Sequence, residues 1–352
     1  MIPSPQSRSH PTRKERPAKP HSAAKDGGAP TACSIIIRSF NEERHIGRLL
    51  AGIMEQTVKD VDIILVDSGS TDATVAIASQ FPVTIVHIDP EDFSFGRSLN
   101  LGCAAAKHEI LVLASAHIYP VYNDWLEQML APFADPNVGL VYGKQRGGET
   151  TQYSEHQIFA RWFGEETVRK QRHPFCNNAN SAVRRARWQA RPYDEELTGL
   201  EDLDWAKDVL KQGYYLSYAA EAEIIHLHDE TPRRIYNRYR REAIAHKAIF
   251  PEQSFSAFDF VRLALTNIAS DYFHAWHDRV LRRNLMAIPV FRLCQFWGTY
   301  RGFAKQGPVT DRLKQAFYYP RGFKRPEPVV AARPERRVID YAHVGQKHFA
   351  AG

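Results

Sequence analysis

The chain has 352 residues, 43% of them hydrophobic and 24% charged, which is ordinary for a folded globular protein with one large core or two smaller ones. Its four cysteines are scattered without a CxxC pair, which argues against a zinc or disulfide framework and favours reduced thiols. No segment approaches the roughly 20 apolar residues that a membrane span needs, and the N-terminus lacks the apolar core of a signal peptide. We therefore expect a cytoplasmic protein.

The net charge of +6 is unevenly distributed along the chain. Residues 1–31 hold six Lys/Arg against two acids and residues 301–352 hold eleven against four, so the segment between them carries a net charge of −5. An acidic central segment argues against nucleic acid as a partner. The basic ends favour a peripheral contact with the anionic inner face of a membrane, or they serve only to keep the protein soluble.

Short apolar runs alternate with amphipathic segments after a leader at residues 1–31, whose Pro, Ser, Lys and Arg content predicts disorder. Helices are expected to begin at Asn41, Thr71 and Ser98. Strands are expected at Cys33–Arg38, Val61–Val66, Val83–Ile88 and Glu109–Ala114. This alternation predicts a doubly wound α/β sheet, in which ligands bind at the carboxyl ends of the strands.

The pattern is less regular after residue 150. Helices are predicted over Tyr153–Lys170 and Asp202–Gln212, strands over Tyr214–Tyr218 and Ala222–Leu227, and helical structure from Pro232 to about Ala304. The apolar segments beyond residue 255 are too interrupted to span a membrane. They are expected to pack on the preceding domain, to dimerise, or to lie in a bilayer interface.

Polar clusters follow the first two predicted strands. Arg38–Glu42 comes directly after the first strand, and Asp67–Asp72 comes directly after the second, where Gly69 permits a tight turn. A carboxylate at a strand end can accept a hydrogen bond from a ribose hydroxyl or a base N–H. On its own the run from Asp67 is more typical of a helix-capping turn, but two such turns on successive strands favour a nucleotide site.

These clusters, together with Gly199–Trp205, resemble family 2 glycosyltransferases of the GT-A fold, and Phe95–Gly102 is similar to a run in bacterial rhamnosyltransferase-like members. The resemblance implies a mixed, mostly parallel sheet flanked by helices over residues 32–250. A helical C-terminal region at 251–320 and an extended basic tail at 321–352 would follow. It also implies inverting transfer of a hexosyl or deoxyhexosyl group from a nucleoside-diphosphate sugar to a sugar or lipid-linked acceptor, in cell-surface polysaccharide or glycolipid synthesis.

The resemblance implies a role for several residues. The nucleotide-sugar contacts are expected at Ser39, Asn41, Glu42, Asp67, Ser68, Arg97, Asn100 and Ser115. Asp202 is the expected general base, with Glu201 beside it, because an inverting displacement needs one carboxylate within reach of the acceptor hydroxyl. Its place at a helix start is expected to lower its pKa and keep it ionised. Acceptor or diphosphate contacts are expected at Asn178, Asn180, Asp204, Trp205, Arg238 and Arg241, although the asparagines also suit a turn and the arginines a solvated helix face.

The chain departs from the family at Ser115-Ala116-His117, where relatives have an Asp-x-Asp that holds a divalent cation. His226 and His228 lie on one face of a predicted strand because side chains alternate there. We expect these two to join His117 in binding a divalent cation, and imidazole ligands suit Mn better than Mg. The alternative is an enzyme without metal that neutralises the diphosphate with Arg and Lys.

Other functions fit the sequence less well. A sugar nucleotidyltransferase or a dehydrogenase would carry a glycine-rich loop after the first strand, and Arg38–Glu42 contains no glycine. The loss of the Asp-x-Asp is compatible with a catalytically degenerate binding or assembly module, but Glu201-Asp202 argues against it. A Gln-x-x-Arg-Trp signature, typical of processive relatives, is absent from Arg233–Arg241, which argues against the synthesis of long polymers.

Overall fold

A computed structural model describes residues 28–318, and residues 1–27 and 319–352 lie outside the described part. Most of the predicted leader and the whole predicted basic tail therefore fall outside it. The described strands are β1 (Ala32–Ser39), β2 (Asp60–Asp67), β3 (Val83–His87), β4 (Ile110–Ser115), β5 (Ile118–Pro120), β6 (Val138–Arg146), β7 (Val168–Gln171), β8 (Asn180–Arg184) and β9 (Tyr215–His226).

The described α-helices precede, connect and follow these strands. They are α1 (Ile46–Met54), α2 (Thr74–Ala78), α3 (Phe95–Ala105), α4 (Trp125–Leu130), α5 (Tyr153–Trp162), α6 (Arg185–Ala190), α7 (Glu201–Lys211), α8 (Pro232–Ile249), α9 (Ala257–His277), α10 (Leu281–Asn284), α11 (Ala287–Phe303) and α12 (Asp311–Tyr318). Short 3₁₀ helices cover Pro90–Asp92 and Ala131–Ala134. Among residues 28–318, no helix combines the length and the apolar composition needed to cross a bilayer.

All the strands belong to one mixed sheet, in the order β3-β2-β1-β4-β8-β6-β9-β5, with β7 paired to β9. The first four strands in this order are parallel, and β6 and β9 are also parallel. Strand β8 is antiparallel to both of its neighbours, and β5 and β7 are antiparallel to β9. This arrangement confirms the predicted mostly parallel mixed sheet.

Helices cover both faces of the sheet, which is why the apolar run in β1 does not alternate with polar residues. Ile35 and Ile37 pack in the core on one face with Leu49 of α1, and Ile36 packs in the core on the other face with Leu99 of α3. All five side chains are fully buried. The parallel strands therefore end at one edge, where the loops that follow them meet.

Helix α1 begins at Ile46 and not at Asn41, as was expected. Asn41 has a φ of 56°, and the backbone N–H groups of residues 41–43 donate to side chains of the loop after β2. Because these donors are already satisfied by another loop, the first helical turn forms only after them.

Three further boundaries differ from the predictions. Helix α5 ends at Trp162, and Val168–Gln171 is a strand paired with β9. The two strands predicted around Ala219–Glu221 form one strand, β9, whose pairing with β6 shifts register between Gly143 and Gln145.

Strand β6 was not predicted, because glycines interrupt its apolar run. A Cβ at Gly143 would lie 2.2 Å from the carbonyl oxygen of Ala222, so close backbone approach requires glycine there.

The helical C-terminal region packs on the sheet domain through a buried ion pair. Arg292 of α11 donates from Nε to Asp271 Oδ2 of α9 (2.7 Å) and from Nη2 to Oδ1 (2.9 Å). Ser154 of α5 donates to the same Asp271 Oδ2 (2.6 Å) and its carbonyl accepts from Arg292 Nη2 (3.3 Å). Removing one member would leave a buried charge uncompensated, so this contact fixes α9 and α11 against α5.

Candidate functional site

The loops after β1 and β2 are joined by hydrogen bonds at the carboxyl edge of the sheet. The Asn41 backbone N–H donates to Ser70 Oγ (2.9 Å), and Asn41 Oδ1 accepts from the Thr71 N–H (2.7 Å). The left-handed φ of Asn41 is one that asparagine tolerates better than most residues. Asn41 therefore works as the connection between the two polar clusters that the sequence places after successive strands.

Asp67 is buried at the end of β2, and its Oδ2 accepts from the backbone N–H groups of Gly69 (3.2 Å) and Ser70 (3.1 Å). These two bonds form the capping turn that the run Asp67–Ser70 predicts when it is considered without the other clusters. A carboxylate has about four acceptor positions, so these bonds leave room for a ligand donor.

Strand register brings two other predicted contacts, Ser39 and Ser115, to the same edge. Ser39 pairs with Asp67 across β1 and β2, and Arg38 pairs with Ser115 across β1 and β4. The hydroxyl of Ser39 is buried and has no hydrogen-bond partner among the described residues. An orphaned buried hydroxyl at a strand end is a group that a bound ligand can satisfy.

Glu201 and Asp202 begin α7, directly after Leu200, which has a left-handed φ of 57°. This conformation is strained for a bulky side chain, and such strain gathers at functional sites. Glu201 Oε1 accepts from Arg38 Nη1 at 2.9 Å, so an ion pair joins the end of β1 to the start of α7. Asp202 accepts from the N–H of Asn178 at Oδ2 (3.0 Å) and from the N–H of Leu203 at Oδ1 (2.8 Å).

The pKa of Asp202 is raised to about 7, first by burial and then by the negative charge of Glu201. The backbone N–H donors of Asn178 and Leu203 and the charge of Arg38 act in the opposite direction. The expectation that the helix start would lower this pKa is wrong, because desolvation of a fully enclosed carboxylate outweighs the modest field of a helix terminus. Asp202 is therefore a weaker acid than an exposed aspartate.

His117, His226 and His228 converge at the ends of β4 and β9. One ring nitrogen from each lies within 4.8 Å of the ring nitrogens of the other two. The ring of His226 stacks on that of His117, with centroids 5.1 Å apart, and lies 4.1 Å from that of His228. Burial and the neighbouring imidazoles lower the pKa of His226 well below its usual value, so this ring is neutral.

Each of these rings is held through Nδ1. His117 donates to Glu42 Oε1 (2.8 Å), His226 to Gln145 Oε1 (2.8 Å) and His228 to Glu155 Oε1 (2.7 Å). Because carboxylate and amide oxygens accept hydrogen bonds, Nδ1 is the donating nitrogen of each ring, and Nε2 is left for another partner. The Nε2 of His226 is buried without a partner among the described residues.

The predicted arginine contacts occupy two places. Arg238 is half-buried and donates to Glu155 Oε1 and Glu230 Oε2, both at 2.7 Å. Burial opposes ionisation of Glu155, but the charge of Arg238 and the hydrogen bonds from Arg238 and His228 outweigh it and hold the pKa of Glu155 at about 2. Arg241 lies over the Phe95 ring at 4.5 Å, and Arg38 lies over the same ring at 5.0 Å.

Arg97 lies in the first turn of α3 and is less enclosed than these arginines. Its Nη2 lies 3.9 Å from Asp92 Oδ2 and its Nη1 lies 3.8 Å from Glu195 Oε2, in contacts too long to fix the side chain. Arg97 is therefore free to reorient toward an anion.

Four predicted contact residues use their side chains to hold neighbouring segments: Asn100, Asn180, Asp204 and Trp205. The amide of Asn100 bonds the segment 188–195, and that of Asn180 bonds the Trp125 indole and two backbone carbonyls. Asp204 pairs with Arg191, whose carbonyl accepts from the Trp205 indole (2.7 Å). The structure does not bring these four side chains into the histidine cluster or the two strand-end loops.

The sequence reasoning missed three residues that organise the site. Arg38 is the first residue of the predicted polar cluster Arg38–Glu42, and an arginine at a predicted strand end was signal enough to find it. Gln145 and Glu155 carry no local signal, because one lies in the strand that was missed and the other in a helix of unremarkable composition. Only the tertiary structure brings them to the histidines.

Comparison with known proteins agrees with this geometry. Residues 34–188 match the model of glycosyl transferase family 2. They form a family 2 glycosyltransferase domain. The match includes both strand-end loops and His117, whereas Asp202 and the other two histidines follow it in the chain.

Two curated relatives of the glycosyltransferase domain come from Salmonella. The chain is 32% identical to the O-antigen chain rhamnosyltransferase WbaN of Salmonella anatum over 206 residues, which cover 54% of this chain and 64% of WbaN. It is 28% identical to the O-antigen chain rhamnosyltransferase RfbN of Salmonella typhimurium over 231 residues, 60% of this chain and 72% of RfbN. The chain thus spans somewhat less than two thirds of WbaN.

Among solved structures, the mannosyltransferase PcManGT of Pyrobaculum calidifontis, in complex with GDP-Man and Mn²⁺, is similar in fold. The TM-score is 0.52 at 17% identity, and the match covers 85% of this chain and 92% of that one. This likeness confirms the predicted GT-A fold for the glycosyltransferase domain.

The raised pKa of Asp202 is testable by NMR without a substrate. We expect the carboxyl carbon of Asp202, assigned by its loss in Asp202→Asn, to titrate near pH 7. In Glu201→Gln the midpoint should move to lower pH, because a negative charge that opposes ionisation is removed.

The matched control for this titration is Asp208→Asn, which changes a carboxylate further along α7 and should leave the midpoint unchanged. A wild-type midpoint near the ordinary value for aspartate, about 4, would contradict the enclosed environment described for Asp202.

Proposed function

We propose that the chain is an inverting glycosyltransferase that moves a hexosyl or deoxyhexosyl group from a nucleoside-diphosphate sugar to an acceptor hydroxyl. Asp202 carries this proposal. Its carboxylate is buried at the start of α7, held by two backbone N–H groups, and has its pKa raised to about 7. A general base works best when its pKa lies near the operating pH.

In this mechanism Asp202 takes the proton of the acceptor hydroxyl while that oxygen attacks the anomeric carbon, on the face opposite the leaving diphosphate. The ion pair between Arg38 and Glu201 holds the start of α7 against the end of β1. The base is thereby kept in a fixed relation to the loops proposed for the nucleotide, and such fixed geometry lowers the barrier.

The donor would lie along the edge formed by the loops after β1, β2 and β4. Ser39, Asn41 and Asp67 provide a free hydroxyl, an amide and a carboxylate there, which suit the polar edge of a nucleoside. Arg38 and Arg241, on the ring of Phe95, and Arg97, at the start of α3, supply positive charge for a diphosphate. PcManGT, which binds GDP-Man, supports a nucleotide sugar as the donor.

We propose further that His117, His226 and His228 hold a divalent cation through Nε2. Two observations support this cation site. The Nε2 of His226 is buried without a partner among the described residues, and the Nδ1 of each ring is hydrogen-bonded to an acceptor oxygen. Such hydrogen bonds are the usual support of metal-ligating histidines. Three imidazoles favour Mn²⁺ or a softer ion over Mg²⁺. When bound, the cation supplies positive charge that stabilises a leaving diphosphate.

The acceptor is proposed to be a sugar or a lipid-linked sugar in the synthesis of a cell-surface polysaccharide. The relatives WbaN and RfbN, both O-antigen chain rhamnosyltransferases, support this class of acceptor and a deoxyhexose such as rhamnose in the donor. Specificity in this fold depends on a few hydrogen bonds in the loops. A thermal-shift screen of UDP-, dTDP- and GDP-sugars would select the donor, because binding raises apparent stability by mass action.

Asp202→Asn should abolish transfer. The amide cannot accept the proton, so we expect kcat to fall by a factor of about 10² to 10⁴ while nucleotide binding stays near wild type. Turnover is measured with the selected donor, and nucleotide binding is measured by calorimetry on the same preparation.

Asp208→Asn is the matched control for this measurement, since it makes the same substitution on the solvent-facing part of α7, and it should keep wild-type turnover. Unchanged turnover in Asp202→Asn would remove Asp202 from the role of base.

The histidine cluster is tested by calorimetric titration of the metal-free, untagged protein with Mn²⁺. We expect one Mn²⁺ per chain, and His226→Ala should weaken binding by at least about tenfold because one of three ligands is lost. His173→Ala, at an exposed histidine outside the cluster, should bind as wild type does. Equal activity in EDTA and in Mn²⁺ would defeat the metal proposal and leave the arginines to neutralise the diphosphate.

A further inference from the structure

Helix α9 exposes an unusual number of large apolar side chains along one stripe. Phe258 and Trp276, at its two ends, are 73% and 72% exposed. Between them, with the three- and four-residue spacing of one helix face, lie Val261, Leu265 and Phe273, which are also exposed. The opposite side of α9 is buried and carries Ala264, Asp271 and Ala275. The stripe therefore faces away from the protein.

Helix α11 carries a second stripe of the same kind, formed by Met286 just before it and by Val290, Leu293 and Trp297, all exposed. Its buried side, with Ile288 and Phe291, packs against the protein. The two helices that carry the stripes are neighbours, since the ring centroid of Phe260 on α9 lies 5.4 Å from that of Trp297 on α11. We call these two exposed stripes the α9–α11 face. Apolar patches of this extent on a soluble surface mark interaction sites.

Two open apolar clefts follow the same helices. One, with a volume of about 460 Å³, lies between α8, α9 and α11 and includes Phe260, Leu293 and Trp297. The other, of about 380 Å³, lies beside Phe273 and Trp276 at the end of α9. The α9–α11 face is thus furrowed and apolar, which suits acyl chains better than the flat contact of a rigid partner.

A cluster of arginines borders this face where α9 turns into α10. Arg279, Arg282 and Arg283 are all exposed, within ten residues of Trp276 and Met286. The acid nearest to them in sequence, Asp278, has its carboxylate bonded to the Tyr153 hydroxyl (2.6 Å). Exposed apolar and indole side chains beside a group of exposed arginines are the combination that attracts a protein to an anionic lipid surface.

The positive charge of the arginine cluster also distinguishes between the possible binding partners of the α9–α11 face. Residues 319–352 hold seven Lys/Arg against three acids, so the chain's own C-terminal segment would meet like charge here. A second copy, placed by a two-fold axis through the cluster, would bring the same arginines against each other. An anionic bilayer satisfies both the apolar stripes and the cations.

We propose that the α9–α11 face docks on an anionic bilayer, with Trp276, Met286 and their neighbours in the interface and the arginine cluster on lipid phosphates. This inference stands independently of the proposed function, because it concerns a surface and needs no reaction. Of the three roles expected for the apolar segments beyond residue 255, it selects contact with a bilayer interface and places that contact on α9 and α11.

The same contacts place the candidate active site in a fixed relation to the bilayer. Ser154 of α5 binds the Asp271–Arg292 pair of the docking helices, and the next residue, Glu155, binds His228. Helix α8, which begins four residues after His228 and lines the larger cleft with Pro232, Arg233 and Tyr236, packs along α11. The docking helices and the histidine cluster are therefore held in one fixed arrangement.

Vesicle flotation with the full chain tests the proposal, using phosphatidylcholine vesicles with and without about one-third phosphatidylglycerol at low salt. We expect wild type to bind the anionic vesicles and to be released by high salt. Trp276→Glu/Met286→Glu should weaken binding by at least about tenfold, because two carboxylates replace side chains that enter the interface. Arg282→Gln/Arg283→Gln should weaken it about thirtyfold, at roughly 1 kcal/mol for each arginine.

The matched control is Met54→Glu/Tyr122→Glu, which introduces the same charges at another pair of exposed side chains and should float as wild type does. Circular dichroism of every variant confirms folding. Wild-type binding by Trp276→Glu/Met286→Glu would assign any vesicle affinity to the basic ends and overturn the proposal. The absence of wild-type binding at low salt would do the same, as would a wild-type dimer that this variant converts to monomers.

Discussion

Each ring of the histidine cluster is held by a hydrogen bond from Nδ1 to an acceptor on a different element, and the geometry of the site depends on these three bonds. Glu42 comes from the loop after β1, Gln145 from β6 and Glu155 from α5. Because the acceptors are spread over the whole domain, the sheet and its helices must all be assembled before the three nitrogens can face one another. The cluster is therefore a product of the tertiary fold and not of a local motif.

The two halves of the candidate site are tied to the same framework. The Arg38–Glu201 ion pair holds the start of α7 at the carboxyl end of β1, and Asn178, ahead of β8, fixes the Asp202 carboxylate through its backbone N–H. The proposed cation site and the proposed base are thus both positioned by β1 and the strands beside it. Burial is what gives both sides their chemistry, since it keeps His226 neutral and makes Asp202 a weaker acid.

The sequence was sufficient for the parallel half of the sheet because its strands are uninterrupted apolar runs bounded by polar turns, as at Ser34–Ile37. It failed at β6, where Gly139 and Gly143 permit close backbone contacts that no periodicity reveals. The convergence of three histidines could be expected from their positions after strands. Their hydrogen-bond acceptors could not, since Glu155 reaches His228 across 73 residues. The pKa of Asp202 was misjudged because a helix start is visible in sequence and burial is not.

The central claim is that His117, His226 and His228 bind a divalent cation in this chain, in place of the Asp-x-Asp motif that the family resemblance leads one to expect. Crystals grown with Mn²⁺ and the nucleoside diphosphate of the selected donor would test it through anomalous diffraction at the manganese edge. The account predicts one anomalous peak per chain, within coordination distance of Nε2 of His117, His226 and His228. A peak coordinated by other groups, or an ordered nucleotide with no peak at the histidines, would contradict it.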